Sequence, residues 1–171
     1  MNIPASLFLM TLPWLNPTEE RAWRGFRRMF TLLEAQLARE MIEESGLSMA
    51  DYTVLSDLAE VEGRRWRVTE LANYMQWSQS RLSHQISRMV SRGLVRREDV
   101  ASDGRGTSVV LTRDGLRAIA AAAPGHFDAV RRHMIDLLTH EQLRVFGDIT
   151  DTVLAHLTSE DQDSAKPAER A

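Results

Sequence analysis

The amino-acid sequence predicts a mainly α-helical fold carrying one small β hairpin. Three observations lead there. Apolar residues recur at steps of three and four near both ends of the chain and again in its middle. The stretch WSQSRLSHQISRMVSRGLVRR, Trp77 to Arg97, holds five arginines and no acidic residue, although the formal net charge of the whole chain is -3. Just after it, Leu94 to Arg97 and Ser108 to Leu111 read as two strands joined by a polar tip, Asp99 to Thr107, that contains Gly104 and Gly106.

The helices follow in order. Asn16-Pro17-Thr18-Glu19 places a capping residue before a proline at the first helical position, with a glutamate set to complete the capping box. Trp23, Phe26, Phe30, Leu33, Leu37 and Met41 then form one apolar face on a long helix that ends near Gly46. A shorter helix, from Ser48 to about Glu60, carries Tyr52, Leu55, Leu58 and Ala59. Past the hairpin, Thr112 opens a helix through Leu116, Ile119 and Ala120, which the sequence expects to be interrupted or kinked at Pro124-Gly125. It resumes through Phe127, Val130, Met134 and Leu137. Thr139-His140-Glu141-Gln142 is a second capping box, backed by the stripe Leu143, Phe146, Ile149, Val153 and Leu157. From Ser159 the apolar periodicity stops, so residues 159–171 are expected to form a disordered tail.

The middle of the chain differs in kind. Val68 to Met75 is a short helix with Leu71, Ala72 and Met75 inward, followed by a tight turn at Gln76-Trp77. A second helix, Ser78 to about Arg92, buries Leu82, Ile86, Met89 and Val90. Two helices joined by about four residues, with the small Ala72 at their crossing, form a helix-turn-helix pattern. With the hairpin behind it, the pattern becomes a winged helix. On the second helix the apolar positions leave Ser80, Arg81, Ser83, His84, Ser87 and Arg88 on the opposite or flanking faces, with Ser78 at the start. Small hydroxyls permit close backbone approach, and arginine and histidine donate to phosphates and base edges.

Composition bounds the function. The 171 residues, 43% hydrophobic, suffice for one ordinary core. The absence of cysteine excludes disulfides, thiolate metal sites and thiol nucleophiles. Between Glu62 and Arg117 eleven arginines face six acids, a balance of +5, against -8 for the remainder. A basic centre between acidic flanks suits a polyanion-binding module on a separate scaffold. The apolar opening MNIPASLFLMTLPWL lacks a basic leader region and holds Pro4 and Pro13, so it reads as a docking arm or a loose end; the absence of cysteine permits a reducing cytoplasm, and a cytoplasmic location is expected. His126, His133 and His140 are spaced by seven, but seven helical residues rise about 10.5 Å, too far to share one ion. No metal and no cofactor is expected. Neither a nucleophile elbow nor a glycine-rich phosphate loop is present, which argues against an enzyme.

At the hairpin the chain resembles the MarR (multiple antibiotic resistance regulator) family of winged-helix transcription factors. The family's wing signature, Asp-x-Arg-x-x-x-Val-x-Leu-Thr with a later glycine, stands here without a gap as Asp103, Arg105, Val109, Leu111, Thr112 and Gly115. TELANYM leading into WSQSRLSHQISRM matches as well, as do WLNPTEERAW and the terminal helices, so the resemblance spans about Trp14 to Leu157. Met1 to roughly Leu12 departs from it.

The resemblance implies a bacterial homodimer reading two half-sites of double-stranded DNA, with Arg105 reaching the minor groove and Asp103 holding the wing. It also implies a small aromatic or anionic effector bound between the dimer helices and the DNA-binding lobe, where Trp23, Phe26, Arg27, Phe30 and Tyr52 are the candidates, and a repressor released by that effector. The organisation expected is an apolar arm (1–15), an N-terminal dimerisation helix (16–46), a winged helix-turn-helix (47–112), C-terminal dimerisation helices (113–158) and the tail. Two rival functions make different demands. A winged helix used for protein contact calls for an apolar outer face on Ser78 to Arg92, and a sequence-indifferent DNA coat calls for basic charge along the whole chain.

Overall fold

A computed structural model describes residues 14–99 and 106–164. The chain divides into two compact units, with the boundary between Phe127 and Asp128.

In the first unit, helix α1 (Pro17–Ser45) begins as the capping chemistry predicts. The Asn16 side chain accepts from the Thr18 and Glu19 amides, and the Glu19 carboxylate accepts from the Asn16 amide at 2.8 Å. It stops at Gly46, whose φ of 68° is the left-handed conformation that glycine adopts without Cβ strain. Helix α2 (Met49–Glu60) is capped by Ser48 in a reciprocal box with Asp51. Helices α3 (Val68–Tyr74) and α4 (Gln79–Ser91) form the helix-turn-helix. In the turn, the Trp77 amide donates to the Ala72 carbonyl at 2.9 Å, and Gln76 sits at φ 53° with its side-chain amide on the Asn73 carbonyl.

The wing is larger than the sequence suggested. Strands β2 (Val95–Asp99) and β3 (Thr107–Leu111) pair antiparallel as expected, with Val95 opposite Leu111. A third strand, β1 (Arg65–Arg67), pairs with the other edge of β3 and places Trp66 opposite Val109, for the order β1-β3-β2. The expected tip residues Asp103 and Arg105 lie outside the described residues.

Leu55, Leu58, Leu71, Leu82, Ile86, Met89 and Val109 are fully buried and join Met41, Leu47, Ile119 and Ala122 in one core. Val90, expected inside, is 38% exposed. Its place on the inner face of α4 is taken by Gln85, a polar residue buried to 2%. Of the α1 stripe, only Met41 is buried; Trp23, Phe26 and Phe30 are about half exposed, and their rings stack in sequence with centroids 6.0 and 6.2 Å apart.

Helix α5 (Arg113–His133) starts against the wing. The Thr112 hydroxyl lies within hydrogen-bond reach of the Gly93 and Leu94 carbonyls and accepts from the Gly115 amide at 2.9 Å. Of the two outcomes expected at Pro124, an interruption or a kink, the interruption does not occur, and the helix runs through it. Losing one amide and crowding the carbonyl one turn back costs about 3 kcal/mol in an unsupported helix. Here Ile119, Ala122 and Ala129 are all buried on either side of Pro124, and that burial favours a continuous helix.

In the second unit a short 3-10 turn (Ile135–Leu137) leads to helix α6 (His140–Ser164). The second capping box forms as predicted: the Thr139 amide donates to the Gln142 side chain, and the Gln142 amide donates to the Thr139 hydroxyl. Ile149, Val153, Leu154 and Leu157 are exposed along α6. The helix continues to Ser164, so the tail expected from residue 159 is helical over its first part. Extending an existing helix needs no new nucleus, and the next proline is Pro167. Among the described residues no helix is long and apolar enough to cross a membrane, and no group of three or more His, Asp or Glu residues is placed to hold a metal ion.

Candidate nucleic-acid interface

The outer face of α4 is built from its cap upward. Ser78, extended at φ -64°, accepts the Arg81 amide on its hydroxyl at 3.2 Å and lies 3.2 Å from the Ser80 hydroxyl. Arg81, His84, Ser87 and Arg88 are exposed, Ser83 is half-buried, and the helix carries no acidic side chain. The structure therefore brings Ser78, Ser80, Arg81, Ser83, His84, Ser87 and Arg88 onto one helix, with the apolar side inward.

Hydrogen bonds divide these residues into two groups. Ser87 donates to the Ser83 carbonyl at 2.9 Å and accepts from Arg97 of β2, which also donates to that carbonyl. The Arg88 guanidinium is held by the Gln85 side chain, whose own amide donates to Asp51 at 2.7 Å. Both residues are thus oriented from inside the protein. The Arg81 guanidinium instead lies over the Trp77 ring, with Cζ 3.9 Å from the centroid.

The five arginines of Trp77 to Arg97 do not act alike. Arg92, at the end of α4, pairs with Asp51 at 2.7 Å and donates to the Gly46 carbonyl at 2.9 Å, which ties α4 to the α1–α2 junction. Arg96 pairs with Glu98, which also receives Arg65. Arg81, Arg88 and Arg97 remain at the outer face. Between α3, α4 and the wing, a cavity of about 320 Å³ is lined by Arg67, Thr69, Ser83, Arg97 and Thr107. Two guanidinium groups and three hydroxyls around an opening of this size suit a nucleic-acid phosphate.

The sequence marks Arg92 and Arg97 only as two of the five arginines of this stretch, and it gives Trp77, Asp51 and Gln85 no role at this face. Ser48-x-x-Asp51, a capping-box spacing, was the one available signal for Asp51. Arg97 depended on the hairpin register, which sets its guanidinium against α4.

The candidate effector residues separate. Trp23, Phe26 and Phe30 form the exposed ring stack on α1, and Arg27 is exposed on the same helix. Tyr52 is buried, its ring 4.5 Å from that of His126. His126 Nδ1 is buried without a hydrogen-bond partner among the described residues, and burial holds the imidazole pKa below its usual 6.5. A depressed histidine pKa means that the folded state resists a proton which the unfolded chain accepts. Stability is then full above about pH 6.5 and falls as the pH drops toward the folded value. His126→Phe is expected to flatten the decline below about pH 6.5 in urea melts, and a decline as steep as in the unaltered protein would clear His126 of that role.

Comparison with known proteins agrees with this architecture. Residues 45–106 match the family model described as MarR family. AbsC, a MarR family transcriptional regulator from Streptomyces coelicolor, is 43% identical, with a TM-score of 0.79 over 86% of this chain and 99% of that one. Sco3205 from the same organism, a MarR family regulator solved in complex with DNA, is 41% identical, with a TM-score of 0.80 over 86% of this chain and 92% of that one. The transcriptional regulator HosA of Escherichia coli is 30% identical over 123 residues, 72% of this chain and 89% of its own. Matches of this extent reach well beyond the helix-turn-helix to the flanking helices, and with the winged sheet and the Thr112–Gly115 junction they show that the chain belongs to the MarR family of transcriptional regulators.

Proposed function

We propose that this regulator is a sequence-specific DNA-binding repressor, acting in the bacterial cytoplasm as a homodimer on a pseudo-palindromic operator and released by a small aromatic or anionic effector. The observation that carries the DNA reading is the outer face of α4: hydroxyls, His84 and arginines without a carboxylate, oriented by internal hydrogen bonds and joined by Arg97 from the wing. The DNA complex of Sco3205, alike in fold and 41% identical, supports it. In this reading α4 enters the major groove, with Ser78, Ser80, Arg81, Ser83, His84, Ser87 and Arg88 facing bases and phosphates, while Arg105 enters the minor groove and Asp103 steadies the wing.

The dimer reading rests on apolar surface that a single chain leaves uncovered, Trp23, Phe26 and Phe30 on α1 and Ile149, Val153 and Leu157 on α6. Two copies place two recognition helices on one face of the duplex, about 34 to 36 Å apart. An effector near Trp23, Phe26, Arg27, Phe30 and Tyr52 releases DNA only if it binds one spacing of those helices more tightly than the other.

The test is fluorescence-anisotropy titration of the full chain against DNA flanking its own gene and against shuffled DNA, each at two salt concentrations. Two chains per site and a strong preference for the flanking DNA are expected. Binding to neither at low salt sinks the DNA reading and favours a protein-contact module. Arg105→Ala is expected to weaken binding and to reduce the salt slope by about one counterion. An unchanged slope removes Arg105 from the DNA contacts.

A further inference from the structure

We propose that Trp77 is a positioning residue for base readout: its indole face holds the Arg81 guanidinium as a prepared fork, and the base this fork selects is guanine. The inference deepens the DNA reading above and rests on it.

The geometry begins in the turn. Gln76 in the left-handed conformation and the Trp77 amide on the Ala72 carbonyl fix the backbone immediately before the cap of α4. Trp77 is the residue before the cap and, partly buried, packs against the core cluster that includes Leu82, the fourth residue of the helix, which is the spacing of a hydrophobic staple. The packed indole is therefore not free to swing. Arg81, four residues on, is exposed on the outer side of α4, with Cζ 3.9 Å from the indole centroid.

Arg81 also differs from its neighbours in what holds it. Arg88 is held by Gln85, Arg92 by Asp51 and Arg97 by Ser83 and Ser87, so each of these arginines already spends donors inside the protein. Among the described residues, the contact made by the Arg81 guanidinium is with a π face, which takes up no N–H donor. A guanidinium carries all its donors in its own plane, so a cation over a ring keeps the paired N–H edge that matches guanine O6 and N7. Restricting the long side chain before binding also lowers the entropy lost when that pair forms.

The experiment selects duplexes from a random-sequence library with the full chain and repeats the selection with Arg81→Ala, Arg81→Lys, Trp77→Leu and Trp77→Phe, each confirmed folded by its melting transition. Arg81→Ala is expected to erase a guanine preference at one position of each half-site and to weaken binding roughly tenfold or more. Trp77→Leu, which keeps apolar bulk without the π face, is expected to blunt the preference at that same position and to weaken binding roughly two- to fivefold, with the salt slope unchanged. Trp77→Phe is expected to retain the preference. Arg81→Lys, which keeps the charge but not the fork, is expected to lose it. The double variant Trp77→Leu with Arg81→Ala is expected to bind no more weakly than Arg81→Ala alone.

A guanine preference that survives Trp77→Leu, additive losses in the double variant, or a preferred base other than guanine overturns the proposal and leaves the DNA reading standing. Should Trp77→Leu fail to fold, the Arg81→Lys and Trp77→Phe pair decides, and equal selectivity in the two overturns it. Selection of no sequence by the unaltered chain overturns the DNA reading and this proposal with it.

Discussion

Gly115→Ala is expected to destabilise the protein by about 3 kcal/mol, seen as a lower urea midpoint with an unchanged slope. A methyl group placed on Gly115 would stand 2.0 Å from the Leu94 carbonyl oxygen and 2.8 Å from Leu111 Cδ1. A flexible side chain could turn away, but a backbone carbonyl cannot move without its strand. The Leu94 carbonyl is pinned from two further directions, accepting the Thr112 amide at 3.2 Å and lying 2.9 Å from the Thr112 hydroxyl. Leu94 and Leu111 are themselves buried at 7% exposure, so relief requires the first turn of α5 to lift off the wing or the start of β2 to leave the core. A loss below about 1 kcal/mol would show that α5 can shift along the sheet, and the junction would then be looser than its hydrogen bonds indicate.

This junction also shows why the signature of the wing was legible. Leu111, Thr112 and Gly115 belong together because one hydroxyl joins the end of β3, the start of β2 and the first turn of α5, and only glycine leaves room for the closest of these contacts. The helix starts at Asn16, Ser78 and Thr139 were legible for a similar reason, since capping is chemistry between neighbours in sequence.

What escaped depends on distant partners. Strand β1 is three residues with a single apolar side chain, too short for any alternation to register, and it exists because β3 offers an edge. The continuous course of α5 through Pro124 is set by burial on both sides, which no local propensity encodes. Gln85 reads as surface on a helix full of polar residues, and only the carboxylate 34 positions earlier explains why it is buried. The exposed rings of α1 were legible as an apolar face, but periodicity does not say whether a face turns to its own chain or to another.

Asp51→Ala is expected to cost roughly 2–3 kcal/mol at neutral pH, because it takes the acceptor from the buried Gln85 side-chain amide and from the Ser48 amide. The carboxylate accepts the Gln85 amide at 2.7 Å on one oxygen, and the Ser48 amide, the Ser48 hydroxyl and Arg92 on the other. Arg92 is 43% exposed, so solvent screens its part of the loss, and the larger share comes from Gln85, which is nearly fully buried. Asp51→Asn is expected to be little better, since an amide nitrogen would face donors it cannot accept.

The two variants also separate charge from packing through pH. Burial alone raises the Asp51 pKa, but the hydrogen bonds from Ser48 and Arg92 and the nearby Arg92 charge outweigh it and leave the pKa below the usual 3.8. A depressed carboxylate contributes stability that is fully present above the unfolded value and is lost as the pH falls through the folded one. The unaltered protein should therefore lose stability below about pH 4 more steeply than Asp51→Asn, and the gap between them should narrow with acid. Parallel curves would mean that the carboxylate charge contributes nothing and that the loss comes from the Gln85 hydrogen bond. A converging pair would make Asp51 the charged anchor that sets how α4, with Arg88 on its outer face, is carried by the helices behind it.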